Sequence, residues 1–107
     1  MGGQAVLKIG QLPDDALGAA SAFHADWVGR VRAQVAVGAA EIAIVMPRAP
    51  VDHTDWRRAA ARDLARTLAP VRVNVLSGTD EAAISAMLTY LGNAPGVTGH
   101  YLPLHGD

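Results

Sequence analysis

Residues 69–80, Ala-Pro-Val-Arg-Val-Asn-Val-Leu-Ser-Gly-Thr-Asp, constrain the fold of this chain more than any other stretch. Val71, Val73 and Val75 alternate with Arg72 and Asn74, so β-branched side chains recur with the period of a strand. Pro70 ends whatever helix precedes it, because its ring cannot continue the hydrogen-bond ladder. Ser77-Gly78 is a turn signal, and Thr79-Asp80-Glu81 is a helix start with acids in the first turn. Helix, strand, turn and helix in about thirty residues is the rhythm of an α/β protein.

The rest of the chain keeps that rhythm. Residues 5–10 form a short first strand ended by glycine. Pro13-Asp14-Asp15 opens a helix that runs to about Val37, with Gly29 as a possible break and Phe23, Trp27, Val31 and Val35 on one row. Residues 41–46, Glu-Ile-Ala-Ile-Val-Met, are apolar without interruption after the first, as in a strand buried on both faces. Pro47-Arg48-Ala49-Pro50 is a loop. Asp52 or Thr54 caps the next helix, which ends near Leu68 with Trp56, Ala60, Leu64 and Leu68 inward. A further helix spans 80–91, with Ile84, Met87, Leu88 and Leu91 inward. Residues 99–104 make a last strand, and Pro103 places it at a sheet edge.

Composition narrows the functional classes. The 107 residues suit one domain with a modest core. Half are apolar and 18% are charged, which excludes a disordered chain. A formal net charge of −1 argues against nucleic-acid and anionic-membrane partners. With no cysteine, thiolate chemistry and disulfides are impossible. Residues 1–12 lack a secretory signal pattern and no apolar run is long enough for a membrane span, so a cytoplasmic location is expected. Histidines 24, 53, 100 and 105 have no helical i,i+4 pair, so no metal site is expected. Arg58, Arg62 and Arg66 form a row on one helix, read as a solvated face relieved by Asp55 and Asp63.

A β-α-β-α-β-α-β order with right-handed crossovers predicts a parallel four-stranded sheet with alternating helices. If each strand adds beside the last, all three helical segments fall on one face. The other face, with Ala43, Val45, Leu76, Arg72 and Asn74, is then bare and needs a cover from elsewhere.

Residues 64–74, Leu-Ala-Arg-Thr-Leu-Ala-Pro-Val-Arg-Val-Asn, resemble the helix and x-R-V-N strand of the short-chain dehydrogenases/reductases. Ser77-Gly78 stands where that family usually has Pro-Gly. Residues 97–107 are similar to its closing V-T-G-x-x-L-x-V-D-G-G. More weakly, Ala25-Asp26-Trp27 resembles the start of its long central helix and Ala5-Val6-Leu7 its fourth strand. The resemblance implies half of a Rossmann-like fold, a single truncated domain over residues 1–107.

Several of the family's parts have no counterpart. Gly2-Gly3 and Gly10 do not make a G-x-x-x-G-x-G turn between strand and helix. Lys8-Ile9-Gly10 replaces the Asn-Asn-Ala-Gly turn. Alignment on Leu64-Ala65-Arg66 puts Pro50 and Thr54 at the tyrosine and lysine of Tyr-x-x-x-Lys. Tyr90 and Tyr101 fall on other elements, and Lys8 is the only lysine. The resemblance therefore implies a catalytically incompetent protein without cofactor, acting as a structural or regulatory oligomerising or binding subunit. Its partner is a second copy or a full-length short-chain dehydrogenase. In the family, the helix pair matched here builds the dimer's four-helix bundle and the last strand a second association edge. Trp27, Trp56, Ala60, Ala61, Leu64 and Tyr101 are accordingly the expected interface. The alternative is a minimal NAD(P)-dependent oxidoreductase completed by oligomerisation or a partner. There His53 and Arg57, four apart but three out of register, replace tyrosine and lysine, and Asn74, Ser77, Gly78 and Thr79 meet the cofactor. Against phosphate binding at Ser77-Gly78-Thr79 stand Asp80 and Glu81, which oppose its charge.

Overall fold

The computed structural model describes residues 2–104 and lays four parallel strands side by side in chain order. They are β1 (Gln4–Lys8), β2 (Glu41–Met46), β3 (Arg72–Ser77) and β4 (Tyr101–Pro103). Between them lie α1 (Ala16–Asp26), α2 (Val28–Ala36), α3 (Thr54–Leu68) and α4 (Glu81–Gly92). His105, Gly106 and Asp107, which complete the closing motif and include one of the histidines weighed as a ligand, lie outside the described residues. The α/β half-fold expected from the sequence is the one observed.

Strand periodicity divides the core into two layers. Ile42, Ile44, Met46, Val73 and Val75 face Phe23, Val31, Ala60, Ala61 and Leu64, so α1, α2 and α3 share one face of the sheet. Ala43, Val45 and Leu76 point the other way and meet Ile84 and Leu91, with Met87, Leu88 and Leu102 beside them. Helix α4 is therefore on the opposite face. The strands step in one direction throughout, so the β3–α4–β4 connection has the opposite hand to the two before it. The expectation of every helix on one face and a bare second face is corrected: the chain's own α4 is the cover.

Polar groups on that face explain why α4 is received there. Arg72 Nη1 donates to the carbonyls of Leu91 and Ala94, both at 3.0 Å, where α4 ends. A guanidinium at a helix C-terminus meets exposed carbonyls and the negative end of the dipole. Arg72 Nη2 also pairs with Glu41 at 3.3 Å, an ion pair largely removed from water. Asn74 then holds the return loop, its Nδ2 donating to Val97 O at 3.0 Å and its Oδ1 accepting from His100 N at 3.1 Å. At the other end of α4 the Asp80 side chain accepts from Ala82 N and Ala83 N, and Glu81 pairs with Lys8 of β1. Right-handedness is a preference of unassisted crossovers. The crossover that departs from it is the one whose helix end is anchored by Arg72.

Local boundaries differ from the sequence expectation in instructive ways. The first helix divides at Trp27 rather than Gly29, and Phe23 and Val31, one on each segment, are both fully buried. Asp15 caps α1 by accepting from Gly18 N at 2.7 Å. Neither Asp52 nor Thr54 caps α3. Asp52 lies in a 3-10 turn at Val51–His53 and Thr54 is already helical. The last strand is only three residues long, at the edge opposite β1, consistent with Pro103. Arg58, Arg62 and Arg66 are exposed, and Arg66 pairs with Asp63 at 2.6 Å. Among the described residues no helix is long and apolar enough to cross a membrane, and no cluster of ligating side chains could hold a metal.

Arg72→Met should cost about 3 kcal/mol, because it strands Glu41 and two carbonyls away from water. Urea unfolding of the two proteins measures this; a change under about 0.5 kcal/mol, the ordinary range for surface substitutions, would remove Arg72 as the anchor of α4.

Candidate functional site

In open α/β sheets ligands bind beyond the carboxyl ends of the strands, where loops leave a crevice. At that end of this sheet, three of the residues singled out in the sequence meet. Arg57, in the first turns of α3, is 1% exposed, and its Nη1 donates to Pro47 O at 2.8 Å and to the Tyr101 hydroxyl at 3.4 Å. The Tyr101 hydroxyl donates in turn to Ser77 Oγ at 3.1 Å. A chain of polar groups thus links α3, β4 and the end of β3. The guanidinium also lies 5.5 Å from the Trp56 ring and 5.9 Å from the Tyr101 ring, within cation–π range.

His53 stands one helical turn before Arg57 and is 2% exposed. Its Nε2 lies 2.9 Å from Asp14 O, and its Nδ1 lies 3.2 Å from Trp56 Nε1. An indole N–H can only donate, so Nδ1 is the acceptor and Nε2–H is the donor to Asp14. Both ring nitrogens are used to join α3 to the loop before α1. Trp56 also packs on Phe23, ring centroids 5.7 Å apart.

Two cavities flank Arg48 and Ala49. One, about 330 Å³, is walled by Gly10, Leu12, Pro13, Pro47 and Pro50 with His53 and Arg57 at its back. The other, about 460 Å³, is bounded by Arg58, Ser77, Tyr101 and Leu104. A third, about 260 Å³, touches Gly78 and Thr79, and the Lys8–Glu81 ion pair closes one side of it. Among the described residues lining it, Lys8 is the one cation, and it is paired with Glu81. Asn74 does not reach this end of the sheet, since its amide is occupied on both sides by the loop before β4.

The residues named as an interface fare unevenly. Ala60, Ala61 and Leu64 are 2%, 0% and 7% exposed, and their slim surface is used against the chain's own sheet. It is not available to a partner unless α3 moves. Trp27 and Trp56 are half-buried against the same core, and Arg30 lies over the Trp27 ring at 4.3 Å. Tyr101 is half-buried and committed to Arg57 and Ser77. Sequence reasoning set Tyr101 apart from Arg57 because their separation of 44 positions carries no local signal. It also passed over Arg48 as a loop residue and read Gly10 as the end of a strand that makes no phosphate turn. Their position just after strands, where α/β sheets bind ligands, was the available clue.

A family model described as "Short chain dehydrogenase-like protein" matches residues 7–104. The chain belongs to the short-chain dehydrogenase-like family. No curated protein and no solved structure gives a significant match. In this short-chain dehydrogenase-like chain, Pro50 and Thr54, which align with the family's Tyr-x-x-x-Lys, lie in the loop and at the start of α3. Neither carries a group that titrates near neutrality.

Tyr101→Phe deletes the hydroxyl that joins Arg57 to Ser77 and should lower stability by about 1 kcal/mol with an unchanged far-ultraviolet spectrum. Equal unfolding midpoints for the two proteins would make the hydroxyl chain incidental.

Proposed function

We propose that this protein is a catalytically incompetent short-chain dehydrogenase-like subunit whose role is association, with a second copy of itself as partner. The observation that carries this reading is the outer edge of β1. Gly3 O accepts from Glu41 N, and Ile9 N donates to Val45 O, so the odd-numbered residues of this segment bond to β2. The backbone groups of Gln4, Val6 and Lys8 therefore point away from the sheet, along its free side. These three residues are exposed, Val6 by 44%. Natural edge strands are usually blunted by proline, bulges or short length. Over five residues β1 has no proline, and its one lysine is already paired with Glu81.

The committed state of the polar groups supports the non-catalytic half of the reading. Both ring nitrogens of His53 are engaged, with Asp14 O and Trp56 Nε1. Lys8 is tied to Glu81, and a guanidinium keeps its proton throughout the physiological range. The alternative, a minimal NAD(P)-dependent oxidoreductase completed by a partner, draws on the Arg57–Tyr101–Ser77 chain. It is weaker because that chain ends on a group that cannot exchange its proton.

Sedimentation equilibrium should show a dimer. Val6→Pro removes an outward N–H, which an edge strand tolerates, and should return the protein to a monomer with the same circular dichroism. A dimer insensitive to Val6→Pro overturns the edge as the contact. Oxidation of NADH or NADPH by the purified protein with a panel of carbonyl compounds, abolished by Tyr101→Phe, would establish the alternative instead.

A further inference from the structure

Arg57 carries a permanent charge into the interior, and no carboxylate among the described residues meets it. Among the described residues its guanidinium makes no ion pair, and only Nη1 is hydrogen-bonded, to a carbonyl and a hydroxyl. Its Nε–H is buried with no partner at all. Leaving a buried charged donor unmatched is among the costliest arrangements a fold can keep. Two aromatic faces offset part of this, at the modest strength of cation–π contacts. The remainder is not met by any of the described residues.

The cavity in front of Arg57 supplies a setting for the missing charge. Its volume, about 330 Å³, lies at the small end of the range for organic ligands. Leu12, Pro13, Pro47, Ala49 and Pro50 give it apolar walls, and the exposed Arg48 adds a second cation. The acid on its wall is Asp14, exposed, with its backbone carbonyl held by His53. We propose that this cavity binds a small organic monocarboxylate with an apolar body, its carboxylate on Arg57 and its body against the prolines. A planar carboxylate matches the guanidinium fork in a way that an inorganic anion does not. This site is independent of the association through β1.

Benzoate is the probe, with benzamide as its neutral counterpart of the same shape, each titrated against the full chain by calorimetry and ligand-observed NMR. Benzoate should bind saturably, and benzamide at least roughly tenfold more weakly, the scale of a lost charge-assisted contact. Arg57→Gln should weaken benzoate by a similar factor. Where that variant does not fold, Gly10→Leu decides: Gly10 lines the cavity and no atom lies within 4 Å of a Cβ built there, so a side chain is accommodated and should narrow the cavity. Val6→Pro should bind benzoate as the parent does, which separates this site from the dimer edge. Equal binding of benzamide, unchanged binding in Gly10→Leu, or no benzoate binding at concentrations on the order of 10 mM would each overturn the proposal.

Discussion

One guanidinium holds the two halves of this fold together. Arg72 reaches from β3 to Glu41 on the neighbouring strand and to the last carbonyls of α4 on the second face. Without it the final helix would end over an apolar sheet surface with its carbonyls unanswered. Its charge is neutralised inside the strand pair, so the face can be covered without burying a lone ion. The rest of that layer, from Ala43 and Val45 to Ile84 and Leu91, is ordinary apolar packing that any amphipathic helix could provide. Arg72 decides which helix provides it, and where that helix stops.

How much of this was legible beforehand depends on whether the signal was local. The strand at β3 declares itself through three alternating valines, and β2 through unbroken apolar character. Both were placed within a residue or two. The order of the strands followed from chain connectivity. The side of the sheet taken by α4 was not legible, because it depends on Arg72 meeting carbonyls about twenty positions away. The break at Trp27 in place of Gly29 shows the same limit. A flexible residue marks where a helix can bend, whereas packing of Phe23 and Val31 settles where it does.

The candidate site repeats the lesson in a different form. Arg57, Ser77 and Tyr101 were each visible as residues of interest, yet were assigned to a proton relay, a cofactor loop and an interface. Only tertiary structure joins them into one hydrogen-bonded chain. His53 is the reverse case. As a sequence feature it was a candidate base, and in the fold it is a cross-brace between α3 and the loop before α1, with no nitrogen to spare. The alanines of α3 looked like a docking stripe and are core filling. Small side chains let a helix approach its own sheet as readily as a neighbour's.

The two margins of the sheet are not equivalent, and that inequality limits what the molecule can build. The β4 margin offers three residues, one of them a proline, and gives little purchase to an incoming strand. The β1 margin is longer, and among the described residues no strand pairs with its outer side. Two molecules meeting β1 to β1 around a two-fold axis would use up both receptive margins and present only their blunt ones outward. Growth would then stop at two. A sheet with one open side and one closed side makes a pair, where a sheet open on both sides makes a fibre.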